Sequence, residues 1–502
     1  MGIMSDLFSR WAGYSERVAF EFNKQVITYG ELKERIDEKI AFLEKNGVYR
    51  KSHVAIKITN PIRYCINFLA LWRMDVTIVP IDTQITGEGL LELLAQSDVD
   101  VFISDVFDCS NEDLKGLNKA CKCFKNIVCY KNDKIQTFKI SEGENVVPWE
   151  TAQGIDSENG FLLLFTSGTS GSGKSKGVLI KKENFLNNAK KVVAYTELTE
   201  NDSILLTLPL TYCFALSQLL SHLMVCGKCY FTQSTRVTQH LLSDIAGYGV
   251  TNYASTPYFF ETIEKDYLQN AKLDFHNLRF IMSAGSYLAQ GVITQIREYF
   301  PETILFNNYG QTEASPRISY NKISSVNDEI ESVGKPLPGV EIRIFDETGK
   351  EIKDGSVGII GYKSEDGMEG YYKQSLVNKQ EFLLSGDLGY LNEEGKLVIK
   401  GRKDSMIKVN GRKVYKNVIE EELYQLPFIK NIRIKKERHR YFGEYFIAYI
   451  VFDENYDIKT SLSEIRKYCR KHFDKVSRPK KYVICEGFEL NSNQKVVIRE
   501  GK

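Results

Sequence analysis

Phe161-Leu-Leu-Leu-Phe-Thr166-Ser167-Gly168-Thr169-Ser170-Gly171-Ser172-Gly173-Lys174-Ser175-Lys176-Gly177-Val178 runs from an apolar strand into a loop of Gly, Ser and Thr that ends in lysines. Such a loop presents backbone N–H groups, hydroxyls and a cation to phosphate oxygens. A flexible surface loop is the bland alternative, and the dense hydroxyls, the lysines and the apolar strand feeding the loop argue against it. Gly168-x-x-x-x-Gly173-Lys174-Ser175 also matches the P-loop pattern letter for letter. A P-loop, however, opens a helix directly after its Lys-Ser. Here Lys176-Gly177-Val178-Leu179-Ile180 reads as a strand, so that alternative fails on its context.

Outward from the loop, strand and helix alternate. Ile27-Thr28-Tyr29-Gly30-Glu31-Leu32 opens a helical stretch to about Asn46, with apolar Leu32, Ile36, Ile40 and Leu43 on one face. Val54 to Ile58 reads as a buried strand, Asn60-Pro61 turns into a helix to about Met74, and Val76 to Pro80 is a strand. Gly87 to Gln96 is a helix and Val101 to Ser104 a strand. The alternation returns with helices over 183–196, 215–226, 237–248 and 288–300, and strands over 203–207, 228–231, 252–255 and 278–282. This predicts an α/β class, with parallel sheets flanked by helices. From about 320 the texture changes to short strands between Gly-rich turns: Gly339 to Phe345, Gly358 to Gly361, Gly389 to Leu391 and Lys396 to Lys400. These predict a β-rich layer closing the large region. Beyond Gly401-Arg402 the chain resumes as a compact α+β unit. The expected organisation is a large N-terminal domain over 1–402 and a small C-terminal domain over 403–502.

Composition bounds the function. At 502 residues at least two domains are expected. Hydrophobic residues make up 43% and charged residues 26%, and the net charge is +1, which gives no electrostatic argument for nucleic acid or an anionic membrane. The basic run Lys430 to Arg440 reads as a solvated face. Among the ten cysteines, Cys226-Gly227-Lys228-Cys229 forms a C-x-x-C that would suggest redox or zinc chemistry. It sits in an apolar context, no second C-x-x-C exists, and the six histidines are scattered, so ordinary reduced, buried thiols are the reading. That fits a reducing compartment, and the expected location is cytoplasmic. The N-terminus has no apolar h-region, position 6 lacks the Ser or Thr of a myristoylation signal, and no apolar run reaches the roughly 18 residues of a membrane span.

Thr166-Ser167-Gly168-Thr169-Ser170-Gly171 with Lys176-Gly177-Val178 resembles the nucleotide loop Thr-Ser-Gly-Thr-Thr-Gly-x-Pro-Lys-Gly-Val of the acyl-adenylate-forming superfamily. That superfamily comprises the acyl- and aryl-CoA synthetases, nonribosomal-peptide adenylation domains and luciferases (AMP-dependent synthetases and ligases). This chain has two extra residues and Ser175 where proline is usual. The resemblance makes Lys176 the loop lysine and leaves open a share for Lys174. Asn307-Asn308-Tyr309-Gly310-Gln311-Thr312-Glu313 matches the family's Tyr-Gly-x-Thr-Glu segment. An aromatic face suits adenine, a hydroxyl a phosphate and a carboxylate Mg²⁺. By resemblance those roles fall to Tyr309, Thr312 and Glu313, with Asn308 and Gly310 in the same nucleotide site. Ser385-Gly386-Asp387-Leu388-Gly389-Tyr390 resembles the segment whose aspartate accepts from the ribose hydroxyls. Gly401-Arg402-Lys403-Asp404 comes next, implying Arg402 at the ribose and Asp404 as hinge. The match continues through Ile407 to Val414, where Gly411 would line the tunnel for a pantetheine arm. Leu490-Asn491-Ser492-Asn493-Gln494-Lys495 resembles the loop carrying the adenylation lysine, here Lys495, with Gln494 in place of the usual glycine.

The resemblance implies an ATP- and Mg²⁺-dependent enzyme that converts a carboxylic acid into an acyl-adenylate. The acyl group then passes to the thiol of CoA or of phosphopantetheine on an acyl carrier protein, after the mobile C-terminal domain rotates. Leu208 to Gln218 resembles the family's pocket helix, with Tyr212 where acyl-CoA synthetases often have histidine. Amino-acid-activating relatives carry an aspartate near here, and none occurs between Ser203 and Leu242. An ammonium would be buried unpaired, which is costly. Phe214, Gln218, Ser283, Ala284 and Gly285 are the expected wall residues, which favours a small or medium carboxylic acid, hydroxylated or not. Loading an amino acid onto a carrier protein and forming an amide are the alternatives within the family. An inactive binding relative is suggested by Ser175, Gln494 and Tyr212.

Overall fold

His53–Lys57, Val76–Pro80 and Val101–Ser104 are mostly apolar and buried at every position. Strands of that kind belong in the middle of a parallel sheet covered on both faces by helices. The computed structural model describes residues 3–106, 124–131, 134–139, 149–155, 160–166, 175–233, 238–325, 327–409, 412–439, 443–475, 477–491 and 493–498. The chain divides into two compact units. The first is Met1–Ala254, Gly310–Arg317 and Ser364–Lys379, and the second is Ser255–Tyr309, Ile318–Lys363 and Gln380–Lys502.

The first unit holds a nine-stranded sheet in the order Ser375–Leu376, Gly370–Tyr371, Lys176–Lys181, Gly160–Thr166, Val76–Pro80, His53–Lys57, Val101–Ser104, Asn126–Lys131, Lys134–Lys139. Its centre is parallel and its edges antiparallel. The strands Ser203–Leu206, Lys228–Phe231 and Val18–Phe22 also run parallel to one another. Helices start where their sequences supply caps. Thr28 and Glu31 form a reciprocal capping box at the start of Tyr29–Lys45. Asn60 caps Pro61–Arg73, with proline at the first turn. The buried Lys182 amine donates to the carbonyls of Leu71 and Met74, at 2.9 and 2.8 Å, and so satisfies the orphan acceptors at the end of that helix.

The second unit carries a five-stranded sheet ordered Glu351–Ile352, Val340–Phe345, Gly358–Ser364, Leu383–Leu391, Leu397–Arg402, which is the β-rich layer expected from the sequence. Residues 403–502 lie wholly within this unit. There Ile429–His439, Gly443–Phe452 and Lys481–Ile484 form a sheet, and Ile419, Leu423, Ile432, Phe446, Ile450 and Ile465 share one core with it.

The fold is α/β, as the alternation predicts, and most boundaries agree within two residues. The sequence reading overlooked the helix Ile3–Trp11, which at nine residues is too short to show a long apolar period. Trp11 anchors it through an indole N–H to the Leu223 carbonyl at 3.1 Å. Cys226 and Cys229 are buried, and burial pushes both thiols up, away from the reactive thiolate. No described helix is long and apolar enough to cross a membrane.

One polar pair interrupts the apolar core. His53 Nε2 lies 2.8 Å from Glu150 Oε1, its Nδ1 2.7 Å from the Ser97 carbonyl, and the Thr77 hydroxyl donates to the same Glu150 oxygen at 3.0 Å. Burial opposes the charged imidazole, but the Glu150 hydrogen bond and charge outweigh it and raise the His53 pKa above 6.5. Burial likewise opposes the Glu150 carboxylate, and the His53 partner outweighs it and lowers that pKa below 4.5. The histidine contribution is therefore complete below its unfolded value and lost as pH rises through the folded one. The carboxylate contribution is complete above its unfolded value and lost as pH falls. From about pH 6 to about pH 9, the melting temperature of the wild type should fall more than that of His53→Gln. Equal slopes in the two melts would show that the pair does not titrate in this way.

Candidate active site

The strand Gly160–Thr166 pairs antiparallel with Lys176–Lys181, Thr166 opposite Lys176, and the Thr166 hydroxyl donates to the Lys176 carbonyl at 3.4 Å. Ser167, Gly168, Thr169, Ser170, Gly171 and Lys174 lie outside the described residues. The chain leaves the loop as a strand, and a helix begins only at Lys182, so the P-loop alternative lacks its helix. Lys176 stands 4.8 Å from the ring centroid of Tyr371, whose hydroxyl donates to Glu313 Oε1 at 2.9 Å. Burial and the Glu313 charge push the Tyr371 phenol up, which keeps it a donor. The sequence reading missed Tyr371. Its only signal is an aromatic after Gly370, where a Cβ would meet the Ser375 carbonyl oxygen at 2.2 Å.

Glu313 is itself held, its carbonyl accepting from the Met368 N–H at 2.9 Å. Gly310 is required before it: a Cβ there would lie 2.0 Å from the Pro316 carbonyl oxygen. The Thr312 hydroxyl is 3.5 Å from Cys213 Sγ, at the first turn of the helix Cys213–Met224. Tyr212 precedes that helix, while Phe214 and Gln218 lie one turn apart on one face, both buried. The first unit thus holds Thr166, Lys176, Tyr212, Phe214, Gln218, Gly310, Thr312 and Glu313. The link from Lys176 through Tyr371 to Glu313 and the contact of Thr312 with the pocket helix join most of them.

The second unit holds the remainder. Asp387 and Arg402 are paired in register on neighbouring strands, and Arg402 Nη1 donates to Asp387 Oδ1 at 3.3 Å. The Tyr309 hydroxyl donates to Asp387 Oδ2 at 2.7 Å. Burial pushes the Asp387 carboxyl above the usual carboxylate range; Arg402, the Tyr309 hydroxyl and Lys495 pull it down, and Asp404 adds to the rise. Lys495 is thus close enough for its charge to act on Asp387. Its loop joins Glu489–Leu490 to Val496–Val497 and is pinned by the Asn491 side chain, which accepts from the Lys495 N–H at 3.0 Å. Gln494 has φ +55°, the left-handed conformation that glycine adopts freely and other residues adopt at about 1 kcal/mol. Its carbonyl accepts from the Thr256 hydroxyl at 3.0 Å.

Asp404 sits in a single 3-10 turn, Lys403–Ser405, and accepts from Arg402 Nε at 3.3 Å. Asn308 donates to the Ser283 carbonyl at 3.3 Å, the Ala284 N–H donates to the Ser255 carbonyl at 3.3 Å, and Gly285 has φ +90°. Gly411 lies outside the described residues. Other contacts tie residues 403–502 to the 255–300 stretch of the same unit. Glu421 accepts from the Tyr287 hydroxyl and the Gln290 N–H at 2.8 and 3.0 Å, and Arg433 pairs with the buried Glu261.

The Tyr-Gly-x-Thr-Glu turn of the first unit and the partly buried aspartate beside an arginine in the second are features expected of an acyl-adenylate-forming ligase. The chain belongs to the AMP-binding enzyme family, whose sequence profile matches residues 7–372. It is 28% identical to naringenin synthase of Pestalotiopsis fici over 91% of its own length, and spans only 17% of that relative. It is 24% identical to oxalate–CoA ligase of Arabidopsis thaliana, over 95% of this chain and 93% of the relative. The crystal structure of the anthranilate CoA ligase AuaEII in complex with anthranoyl-AMP has the same fold, with a TM-score of 0.83 at 19% identity over 99% of this chain and 95% of that one.

Tyr309→Phe leaves the partly buried Asp387 carboxylate with one donor fewer. In chemical denaturation the variant should lose about 1–3 kcal/mol of stability at about pH 8. The loss should be smaller at about pH 5, where a carboxyl of raised pKa carries less charge and needs its donors less. A loss independent of pH would mean that the hydroxyl does not stabilise the charged form.

Proposed function

We propose that this enzyme activates a small carboxylic acid with ATP and Mg²⁺ and passes the acyl group to the thiol of CoA or of a carrier phosphopantetheine. The observation that carries this reading is the convergence on Asp387 of Tyr309, Arg402 and the charge of Lys495. A carboxylate in that setting accepts from ribose hydroxyls, with a stacking aromatic, a guanidinium and an ammonium beside it.

Thiol attack on a free carboxylate fails because oxide is too poor a leaving group. Adenylation replaces it with AMP and splits one hard step into two easier ones. In the first step a carboxylate oxygen attacks the α-phosphorus of ATP, the bond to the bridging oxygen breaks, and pyrophosphate leaves with that electron pair. Lys495 and Lys176, with the Thr312 hydroxyl and the N–H groups of the Gly168–Gly171 loop, stabilise the negative charge that builds there. Glu313 offers a hard carboxylate oxygen, already oriented by Tyr371, which fits Mg²⁺ coordination. The ion would supply charge neutralisation on the phosphate oxygens. Tyr309 stacks on adenine, with Asn308 beside it, and Asp387 and Arg402 hold the ribose. Tyr212, Phe214 and Gln218 of the first unit wall the acid.

In the second step a thiolate attacks the acyl carbonyl and AMP leaves. Residues 403–502 act as the mobile domain, turning about Asp404 so that Lys495 withdraws and Gly411 lines the thiol's path. The short, half-exposed turn around Asp404 supports this role, since a hinge needs a few residues free to change φ and ψ.

The wild type should catalyse carboxylate-dependent exchange of pyrophosphate into ATP. Lys495→Ala should lower that exchange by about two orders of magnitude, while thioester formation from a supplied acyl-adenylate stays within a few-fold. Equal loss in both half-reactions would remove Lys495 from its role, and no exchange with any acid would end the adenylation reading.

A further inference from the structure

Arg317 lies just beyond the Tyr-Gly-x-Thr-Glu turn and is buried, with 1% of its surface exposed. Its backbone is clamped by one side chain: the N–H donates to Asn188 Oδ1 at 3.0 Å, and the carbonyl accepts from Asn188 Nδ2 at 2.9 Å. With the Cα so fixed, the guanidinium lies over the face of Phe214, 4.9 Å from the ring centroid. Phe214 belongs to the proposed acid wall, and the Arg317 charge also acts on Tyr212, the residue that opens the same helix. Asn188, Tyr212, Phe214, Gln218 and Arg317 all belong to the first unit.

Among the described residues, Arg317 Nε and Nη2 have no hydrogen-bond partner, and no carboxylate pairs with the guanidinium. A buried charge without a partner is strongly unfavourable, and a structural arginine in a core normally has its fork filled. The ring of Phe214 satisfies one face of the guanidinium and none of its in-plane donors. Nε–H and Nη2–H point the same way along one edge of the planar group, at the separation of the two oxygens of a carboxylate, so the open edge is a side-on bidentate fork. One helical turn from Phe214, both amide atoms of the buried Gln218 also lack partners among the described residues. Both side chains of this wall are therefore open at once.

We propose that Arg317 receives a second carboxylate of the acid, so that the enzyme activates a dicarboxylic acid while Gln218 contacts the chain between the two carboxyl groups. This deepens the adenylation reading and rests on it. One carboxylate is consumed at the α-phosphate; the other stays charged, paired with Arg317 and stacked beside Phe214. It also accounts for the sequence of the pocket helix, which carries no aspartate between Ser203 and Leu242 to neutralise the arginine.

The test compares succinate with butyrate, and glutarate with valerate, in pyrophosphate exchange and in direct calorimetric binding, using wild type, Arg317→Met and Arg317→Lys. The wild type should prefer each diacid by about tenfold or more in exchange. Arg317→Met should reverse that preference by lowering diacid exchange about a hundredfold while sparing the monoacid, and Arg317→Lys should recover only part of it, keeping the charge but not the fork. Arg317→Met should also abolish diacid binding in calorimetry without lowering the melting temperature of the unliganded protein, since it removes an unpaired buried charge. A purely structural arginine predicts the opposite: a lower melting temperature and equal loss for diacid and monoacid, which would overturn the proposal. If the wild type exchanged pyrophosphate with none of these acids, the calorimetry still decides. Diacid binding that depends on Arg317 would support the subsite although adenylation of these acids had failed, and binding indifferent to Arg317 would overturn it.

Discussion

A carboxylate withdrawn from water has to be held by donors, and Asp387 shows how the second unit meets that demand. Only 14% of its side chain is exposed, which by itself would favour the neutral acid. The pleat of two antiparallel strands places Arg402 opposite it, and the strand Ile304–Gly310 brings the Tyr309 hydroxyl to its other oxygen. The segment bearing Lys495 comes from far along the chain, yet its charge reaches the same carboxylate. Three separate stretches are thus tied to one acidic group, and the turn at Lys403–Ser405 begins immediately after one of them. A polar cluster of this kind is costly if any member is missing, so its members constrain one another's positions more than surface charges would.

The first unit solves a different electrostatic problem. Lys176 and Glu313 carry opposite charges, and a direct ion pair would leave each less available to a phosphate or a cation. Tyr371 stands in contact with both, offering its ring face to the ammonium and its hydroxyl to the carboxylate. Among the described residues Lys176 makes no ion pair at all. Each group is oriented, and neither is neutralised. Arg317 extends the pattern, since its backbone is clamped by Asn188 and its guanidinium lies over Phe214, with Nε and Nη2 left without a hydrogen-bond partner among the described residues.

How much the sequence discloses depends on the range of each interaction. The central strands and long helices are legible because their apolar spacing is local, and the Tyr-Gly-x-Thr-Glu segment because its letters resemble the family's motif, whose glycine the folded chain requires through a contact six residues away. The Gln494 substitution reads as a departure from pattern, yet the backbone takes the left-handed turn that a glycine would take, so the letter differs and the geometry does not. Tyr371 and Arg317 were not legible. Nothing near Tyr371 in the chain marks it, because its partners Lys176 and Glu313 arrive through sheet pairing and a distant turn. The importance of Arg317 lies in donors left unfilled, which only the folded packing reveals. The helix Ile3–Trp11 escaped for a simpler reason: it is only nine residues long, and one buried tryptophan supplies its anchor.

The account depends on a carboxylate oxygen forming a bond to the α-phosphorus of ATP. Isotopic labelling of the carboxylate oxygens tests that bond itself, by mass spectrometry of the nucleotide and phosphate products after a complete reaction with a thiol acceptor. The account predicts one labelled oxygen per AMP formed and none in pyrophosphate. Label in inorganic phosphate with ADP as the nucleotide product, or AMP formed without label, would contradict it.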